Sequence, residues 1–235
     1  MAEKNDKRIV LLFVCCLFLL VLIVIEYLYQ TQKENHHDYY NRNLHTFYQR
    51  IASQGLNGNS VFIGASLIQG FNTTLVMGNS LNFGIGQDTI QSLSKRIDQY
   101  NSIHDAEFIF LQIGGNDLAL YTDDQIEQKI NDLAGKLSKA KKLYWSALLP
   151  VINSEKFRKS GRTNDRILKI SDYIKGVCNG MTNCVFVNVP QQLYSSDRDG
   201  LKNSLHIGDG LHLNDIGYRI WAKSIRDEII MAEDR

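Results

Sequence analysis

The sequence predicts a three-layer α/β/α domain on a five-stranded parallel sheet, preceded by an N-terminal transmembrane helix. Three observations carry that expectation. Short apolar runs alternate with segments of helical periodicity. Those runs are continuous rather than alternating in polarity, the pattern of strands covered by helices on both faces. Ahead of them stands one unbroken apolar stretch, Ile9 to Ile25.

That stretch reads IVLLFVCCLFLLVLIVI. Lys4, Lys7 and Arg8 precede it, and Tyr27 and Tyr29 follow it. With these flanks it just spans a bilayer core as a helix. Lys33 and Arg42 come later and more sparsely. The bias places the N-terminus in the cytoplasm and the domain outside it, periplasmic or extracellular. The alternative is a cleaved signal peptide. The run is long for that, and Glu26-Tyr27-Leu28-Tyr29 is too bulky for a cleavage site. Cys15 and Cys16 lack a lipoprotein context and read as apolar helix filler. Residues 1–29 are therefore expected to be cytoplasmic tip and anchor, 30–58 a polar juxtamembrane spacer, and 59–235 the folded domain. His36 and His37 fall in the spacer and read as solvated. Leu56-Asn57-Gly58-Asn59 is a turn into the domain.

Within the domain, strands are expected near 60–64, 80–84, 106–113, 142–149 and 184–189. Helices fill the gaps. Asp88-Thr89 is a cap signal, after which Ile90, Leu93 and Ile97 share one face. The same spacing recurs at Ile126, Ile130, Leu133 and Leu137, then at Ile167, Ile170, Ile174 and Val177. A last stripe holds Ile220, Trp221, Ile225 and Ile229. These are core faces. Cys178 and Cys184 bracket a polar loop. They either close it as a disulfide in an oxidising compartment or remain two free thiols.

At 235 residues the chain holds one sizeable domain and an appendage. A net charge of +1 gives no argument for nucleic acid. The histidines are scattered and the cysteines lack ligand spacing, so no metal is expected. Gly84-Ile85-Gly86 follows a strand but has no third glycine for a dinucleotide fingerprint, so no cofactor is expected.

Three short pieces carry chemistry. Gly64-Ala65-Ser66-Leu67 offers a serine just past the apolar run Val61-Phe62-Ile63. Gly114-Gly115-Asn116-Asp117 offers an amide just past Phe108-Ile109-Phe110-Leu111. Asp209-Gly210-Leu211-His212 offers an acid and a histidine three residues apart. A nucleophilic serine needs a base to take its proton, an acid to orient that base, and donors for the oxyanion. Parallel sheets present such groups at the carboxyl ends of their strands. Each piece alone has a plain structural reading: a helix N-cap for Ser66, a turn with a helix start for Asp209 to His212. His206 is the local competitor for the base, but Asn203 stands where its acid would be. His104, beside Asp105, reads as a surface residue. Asp117 is expected to buttress its loop.

In this order the pieces resemble the SGNH (GDSL) hydrolase family. Gly64-Ala65-Ser66-Leu67 stands for Gly-Asp-Ser-Leu, with Ala65 replacing an aspartate outside the triad. Gly-x-Asn-Asp and Asp-x-x-His are intact, and Leu213-Asn214-Asp215-Ile216-Gly217-Tyr218 is a common continuation. The resemblance runs from about Ser60 to about Glu228. It implies a flavodoxin-like strand order, Ser66 as nucleophile, His212 as base and Asp209 as its orienting acid. It also implies oxyanion donors at Asn116, at the Ser66 N–H and at a third position. Relatives often read Asn-Phe-Gly-Ile-Gly-Gly-Asp-Thr there, and this chain reads Asn82-Phe83-Gly84-Ile85-Gly86-Gln87-Asp88-Thr89. Gln87 thus replaces the donating glycine. Either its own N–H serves, with the side chain narrowing the pocket, or Gly86 takes the role.

The expected function is a membrane-tethered serine esterase acting through an acyl-enzyme, with O-acetyl groups on envelope or secreted polysaccharide as substrate. A lysophospholipase or thioesterase acting on lipid acyl groups is the alternative. An acyltransferase with the same triad, or a silent binding module on the same fold, are two others.

Overall fold

The computed structural model describes residues 2–197 and 199–233, with side chains described for 13–29 and from 39 onward. The chain divides into two compact units, residues 1–44 and 45–235.

The first unit is helical, part of the long helix α1 (Ala2–Ala52). The predicted span Ile9 to Ile25 lies within α1. Its first four residues, the flanking Lys4, Lys7 and Arg8, and also Lys33, His36 and His37, lie outside the residues whose side chains are described. From Phe13 to Tyr29 the apolar side chains are exposed. Among the described residues no helix is long and apolar enough to cross a membrane.

The second unit takes in residues 45–58, which the sequence reading assigned to the spacer. Tyr48, Ala52 and Leu56 are buried there. Tyr48 stacks on Phe83 at 4.8 Å and donates its hydroxyl to the carbonyl of Gly84. The sheet holds β1 (Ser60–Gly64), β2 (Ser80–Gly84), β3 (Ile109–Gln112), β4 (Leu143–Ser146) and β5 (Cys184–Val187). Its order is β2-β1-β3-β4-β5 and every pairing is parallel. The helices are α2 (Ser66–Gln69), α3 (Ile90–Ile97), α4 (Asp123–Leu137), α5 (Glu155–Lys159), α6 (Asn164–Asn179) and α7 (Asp215–Glu233).

Register explains the two faces. Phe62, Phe110 and Tyr144 are cross-strand partners in one row, and the next residue of each strand must point the other way. The aromatic row packs against Leu67 and Ile68 of α2 and Trp221, Ile225 and Ile229 of α7. Phe62 and Phe110 lie 5.1 Å apart, and Phe110 meets Trp221 edge-on at 5.9 Å. Truncating such an aromatic to alanine costs about 3–5 kcal/mol. The stripes of α3 and α4 are buried as their periodicity predicts. On α6 the last buried position is Cys178 rather than Val177, which is partly exposed. Cys178 is bonded to Cys184, closing the α6–β5 loop.

Capping sets the start of α3. Thr89 accepts from the Ser92 N–H while the Ser92 hydroxyl accepts from the Thr89 N–H. This reciprocal pair satisfies two otherwise orphaned donors. It also fixes the loop Ile85–Asp88 at the carboxyl end of β2, beside the end of β1.

Candidate active site

Ser66 is the first residue of α2, two residues beyond the end of β1. The turn is tight enough to exclude a side chain at Gly64. A Cβ there would lie 2.0 Å from the Gln112 carbonyl oxygen and 2.8 Å from Ile68 Cγ1. As the leading residue of a helix, Ser66 has a backbone N–H that no helical carbonyl can satisfy.

The Asp209–His212 loop comes from the far end of the chain and closes over Ser66. His212 Nε2 lies 2.8 Å from Ser66 Oγ, and His212 Nδ1 lies 2.5 Å from Asp209 Oδ2. Asp209 Oδ1 accepts the N–H groups of Leu211 and His212, which holds the carboxylate in place. Burial alone would raise the Asp209 pKa. The His212 ring bond, the two backbone donors and the nearby imidazole outweigh it and bring the value down to about 2. A carboxylate that stays ionised orients the imidazole and stabilises its protonated form.

His206 serves the loop in another way. Its Nδ1 accepts the N–H groups of Gly208 and Gly210 at 2.9 and 3.1 Å. Gly210 has a φ of +80°, and a Cβ on it would meet Ile152 at 2.4 Å. The Gly210 carbonyl accepts the Ile152 N–H. His104, partly buried near Lys139, takes no part in the pocket.

Asn116 sits just past the end of β3, in a loop whose next residue is wholly buried. Asn116 Nδ2 donates to the Asp88 carbonyl at 2.9 Å, and Oδ1 accepts from Arg162 Nη2 at 3.0 Å. Arg162 can only donate and a carbonyl can only accept, so the amide has one possible orientation. Its second N–H remains for a ligand. Asp117 accepts the Ile90 N–H at the start of α3 with both oxygens. Burial pushes its pKa up to about 6, partly offset by that backbone donor.

The Ile85–Asp88 turn is closed by the Asp88 N–H donating to the Ile85 carbonyl. Gln87 sits third in it with a φ of +64°, the one non-glycine positive φ among the described residues. This is where a turn of this kind calls for glycine. Its side chain is exposed, and neither Gln87 nor Gly86 is among the residues lining the cavity beside Ser66. Gly86 lies beside the nucleophile: a Cβ there would lie 4.0 Å from Ser66 Cβ.

Ser66, Asn116 and Arg162 line one small cavity of about 30 Å³, with Ala65, Leu67, Gln112, Gly115 and Leu211. Arg162 was not anticipated from the sequence. It precedes α6 in an ordinary-looking loop, and nothing in its neighbours marks it. Its Nε also donates to the Gly115 carbonyl at 3.1 Å, and burial lowers its pKa. Among the described residues no group of acidic and histidine side chains could hold a metal ion.

Comparison with known proteins agrees with this geometry. The model of the GDSL-like Lipase/Acylhydrolase family matches residues 52–220. No curated protein matches the chain. Among solved structures it is similar to a protein from Streptococcus pneumonia, with 22% identity and a TM-score of 0.73 over 83% of this chain and 94% of the other. A GDSL-like lipase from Bacteroides thetaiotaomicron has 18% identity and a TM-score of 0.66, over 80% and 98%. An acetylxylan esterase from Geobacillus stearothermophilus, as a catalytic mutant, has 17% identity and a TM-score of 0.58, over 74% and 95%. At these identities the likeness is one of fold.

Proposed function

Because the chain belongs to the GDSL-like lipase/acylhydrolase family, we propose that it is a membrane-tethered serine esterase that removes short acyl groups, acetyl foremost, from hydroxylated polymers outside the cytoplasm. The observation that carries this reading is the continuous path from Asp209 through His212 to Ser66, at 2.5 and 2.8 Å.

The chemistry follows from that path. His212 Nε2 takes the Ser66 hydroxyl proton as Oγ attacks the ester carbonyl carbon. The carbonyl π electrons move onto oxygen, which then faces the free Asn116 N–H and the Ser66 backbone N–H. The tetrahedral intermediate collapses, and His212 gives its proton to the departing alcohol. Water repeats the sequence on the acyl-enzyme and frees the acid. A preorganised donor of the Asn116 kind is worth about 10²–10³-fold in turnover.

The size of the cavity beside Ser66 favours acetyl over long acyl chains. An acetylxylan esterase among the structures of like fold is consistent with a carbohydrate ester. The Cys178–Cys184 bond supports an oxidising compartment. The apolar run Ile9 to Ile25, after three basic residues, supports a tether with its N-terminus in the cytoplasm.

The test is hydrolysis of 4-nitrophenyl esters from acetate to dodecanoate by wild type, Ser66→Ala and His212→Ala. Acetate should be turned over fastest, and each variant should lose on the order of 10⁴-fold or more. Near-normal turnover in either variant refutes the triad, and a maximum at long chains refutes the acetyl reading. Protease treatment of intact cells tests the topology: a domain protected until lysis lies in the cytoplasm.

A further inference from the structure

We propose that Arg162 selects acidic substrates by binding a carboxylate or phosphate carried on the leaving-group side of the ester. The proposal rests on the serine-esterase reading of Ser66 and adds to it a substrate class.

Among the described residues Arg162 is a cation without a counter-ion. Arg166 and Lys169 both pair with Asp123, and Lys159 pairs with Glu155, while the more exposed Arg158 donates to the neutral Asn153 Oδ1. Among the described residues Arg162 forms no ion pair. Its bonds go to two neutral oxygens, the Gly115 carbonyl and Asn116 Oδ1. A guanidinium carries five N–H donors, so Nη1 and one hydrogen of Nη2 are uncommitted. The side chain is also half-buried, and that desolvation already lowers its pKa. A charge partly stripped of water and left unpaired gains most from an anion that arrives with a ligand.

Its position says where that anion sits. Arg162 belongs to the wall of the acyl cavity and also to that of a second cleft of about 190 Å³. The second cleft is lined by Asn153, Ser154, Asn164 and Asp199 among others, a polar surface suited to a hydroxylated group. An acetyl group in the small cavity therefore leaves the alcohol portion to the cleft, with Arg162 at the junction. Asp165 and Asp199 lie on the cleft's exposed side. Asp199 is bonded by Asn153, which also accepts from Arg158. Arg158 lines the same cleft but is bonded to Asn153, so Arg162 is the lining cation that also borders the cavity beside Ser66.

The experiment uses the full-length protein in detergent and three O-acetylated methyl glycosides: a glucuronide, its methyl ester, and a glucoside 6-phosphate. Wild type should show a kcat/KM at least about tenfold higher on the glucuronide or the phosphate than on the neutral ester, since charge-assisted bonds are the strong ones. Whichever anion gains more identifies its source. Arg162→Gln and Arg162→Lys both lose turnover on every ester, because Arg162 also holds Asn116. The readout is the ratio of charged to neutral: it should fall to near one in Arg162→Gln and persist in part in Arg162→Lys. An unchanged ratio in Arg162→Gln, or no preference in wild type, overturns the assignment while leaving the esterase reading intact. If wild type cleaves no ester, the esterase reading fails, and binding decides the rest. Ser66→Ala titrated with methyl glucuronide should then saturate, and Ser66→Ala/Arg162→Gln should not. Equal binding by both overturns the proposal.

Discussion

Arg96 bonds to both sides of the active site at once. Its Nε donates to Asp88 Oδ2 at 2.6 Å and its Nη2 to the Gly64 carbonyl at 3.1 Å, two residues before Ser66. Asp88 in turn presents its own carbonyl to Asn116. The nucleophile turn and the oxyanion loop thus hang on one guanidinium. Arg96 and Asp88 are almost wholly buried, and burial keeps the Asp88 pKa above its ordinary value despite Arg96. Removing one partner strands a buried charge. Arg96→Ala should therefore destabilise the domain by about 3–5 kcal/mol, measured as a shift in urea midpoint. A loss under about 1 kcal/mol would show that water replaces the guanidinium.

Asn116→Ala should lower kcat by roughly 10²–10³-fold with little change in KM, because the amide meets the oxyanion more strongly than the ground-state carbonyl. Steady-state kinetics on 4-nitrophenyl acetate checks it. A change confined to KM would make Asn116 a substrate-binding residue instead.

Gln87→Gly should stabilise the fold slightly. A non-glycine residue in the left-handed region costs about 1–2 kcal/mol, and the extra freedom glycine gives the unfolded chain returns about 0.4–1 of that. A net gain between about 0 and about 1.6 kcal/mol is expected by thermal or urea melting. Acyl-chain preference should not change, because the side chain is exposed and off the pocket. A shifted chain-length profile would place the glutamine over the site.

His206→Ala should lower kcat by up to about 10²-fold, although the His206 side chain bonds to Gly208 and Gly210 and not to the triad. It removes the acceptor that gathers the Gly208 and Gly210 N–H groups around Asp209, and small misplacements of a catalytic group are costly. Labelling of Ser66 by an organophosphate should slow in parallel. Unchanged labelling with unchanged kcat would reduce His206 to an ordinary loop residue.

Asp117 should make stability fall as pH rises from about 4 to about 6. Its folded pKa of about 6 lies above that of an unfolded aspartate, so the native state binds the extra proton in that window. The stabilisation is complete below the unfolded value and is lost as pH passes the folded one, at no more than about 1.36 kcal/mol per pH unit. Asp117→Asn removes this dependence. Urea melts at pH 4, 5, 6 and 7 should show the wild type losing ground to the variant. Parallel curves would contradict the raised pKa.

The sequence by itself determined the elements and what they present. Continuous apolar runs and 3.6-residue stripes are local patterns, read within a dozen residues, and they locate the strands and α3, α4, α6 and α7. Ser66 and Asn116 were legible because each follows directly on a strand, and Asp209 and His212 because they lie three residues apart. Only the tertiary structure decided what these groups meet. Arg162 is 46 residues from Asn116, and Arg96 is 32 from Gly64. Such pairs depend on which helices and loops meet at the carboxyl ends of the inner strands, and no periodicity encodes that. The conformation of Gln87 was hidden for a related reason. Its positive φ is imposed by the closed turn and by neighbours on both sides, against its own intrinsic preference. Cavity size likewise belongs to the assembled walls and to no single segment: Arg162, Gln112 and Leu211 stand around Ser66 only in the folded chain.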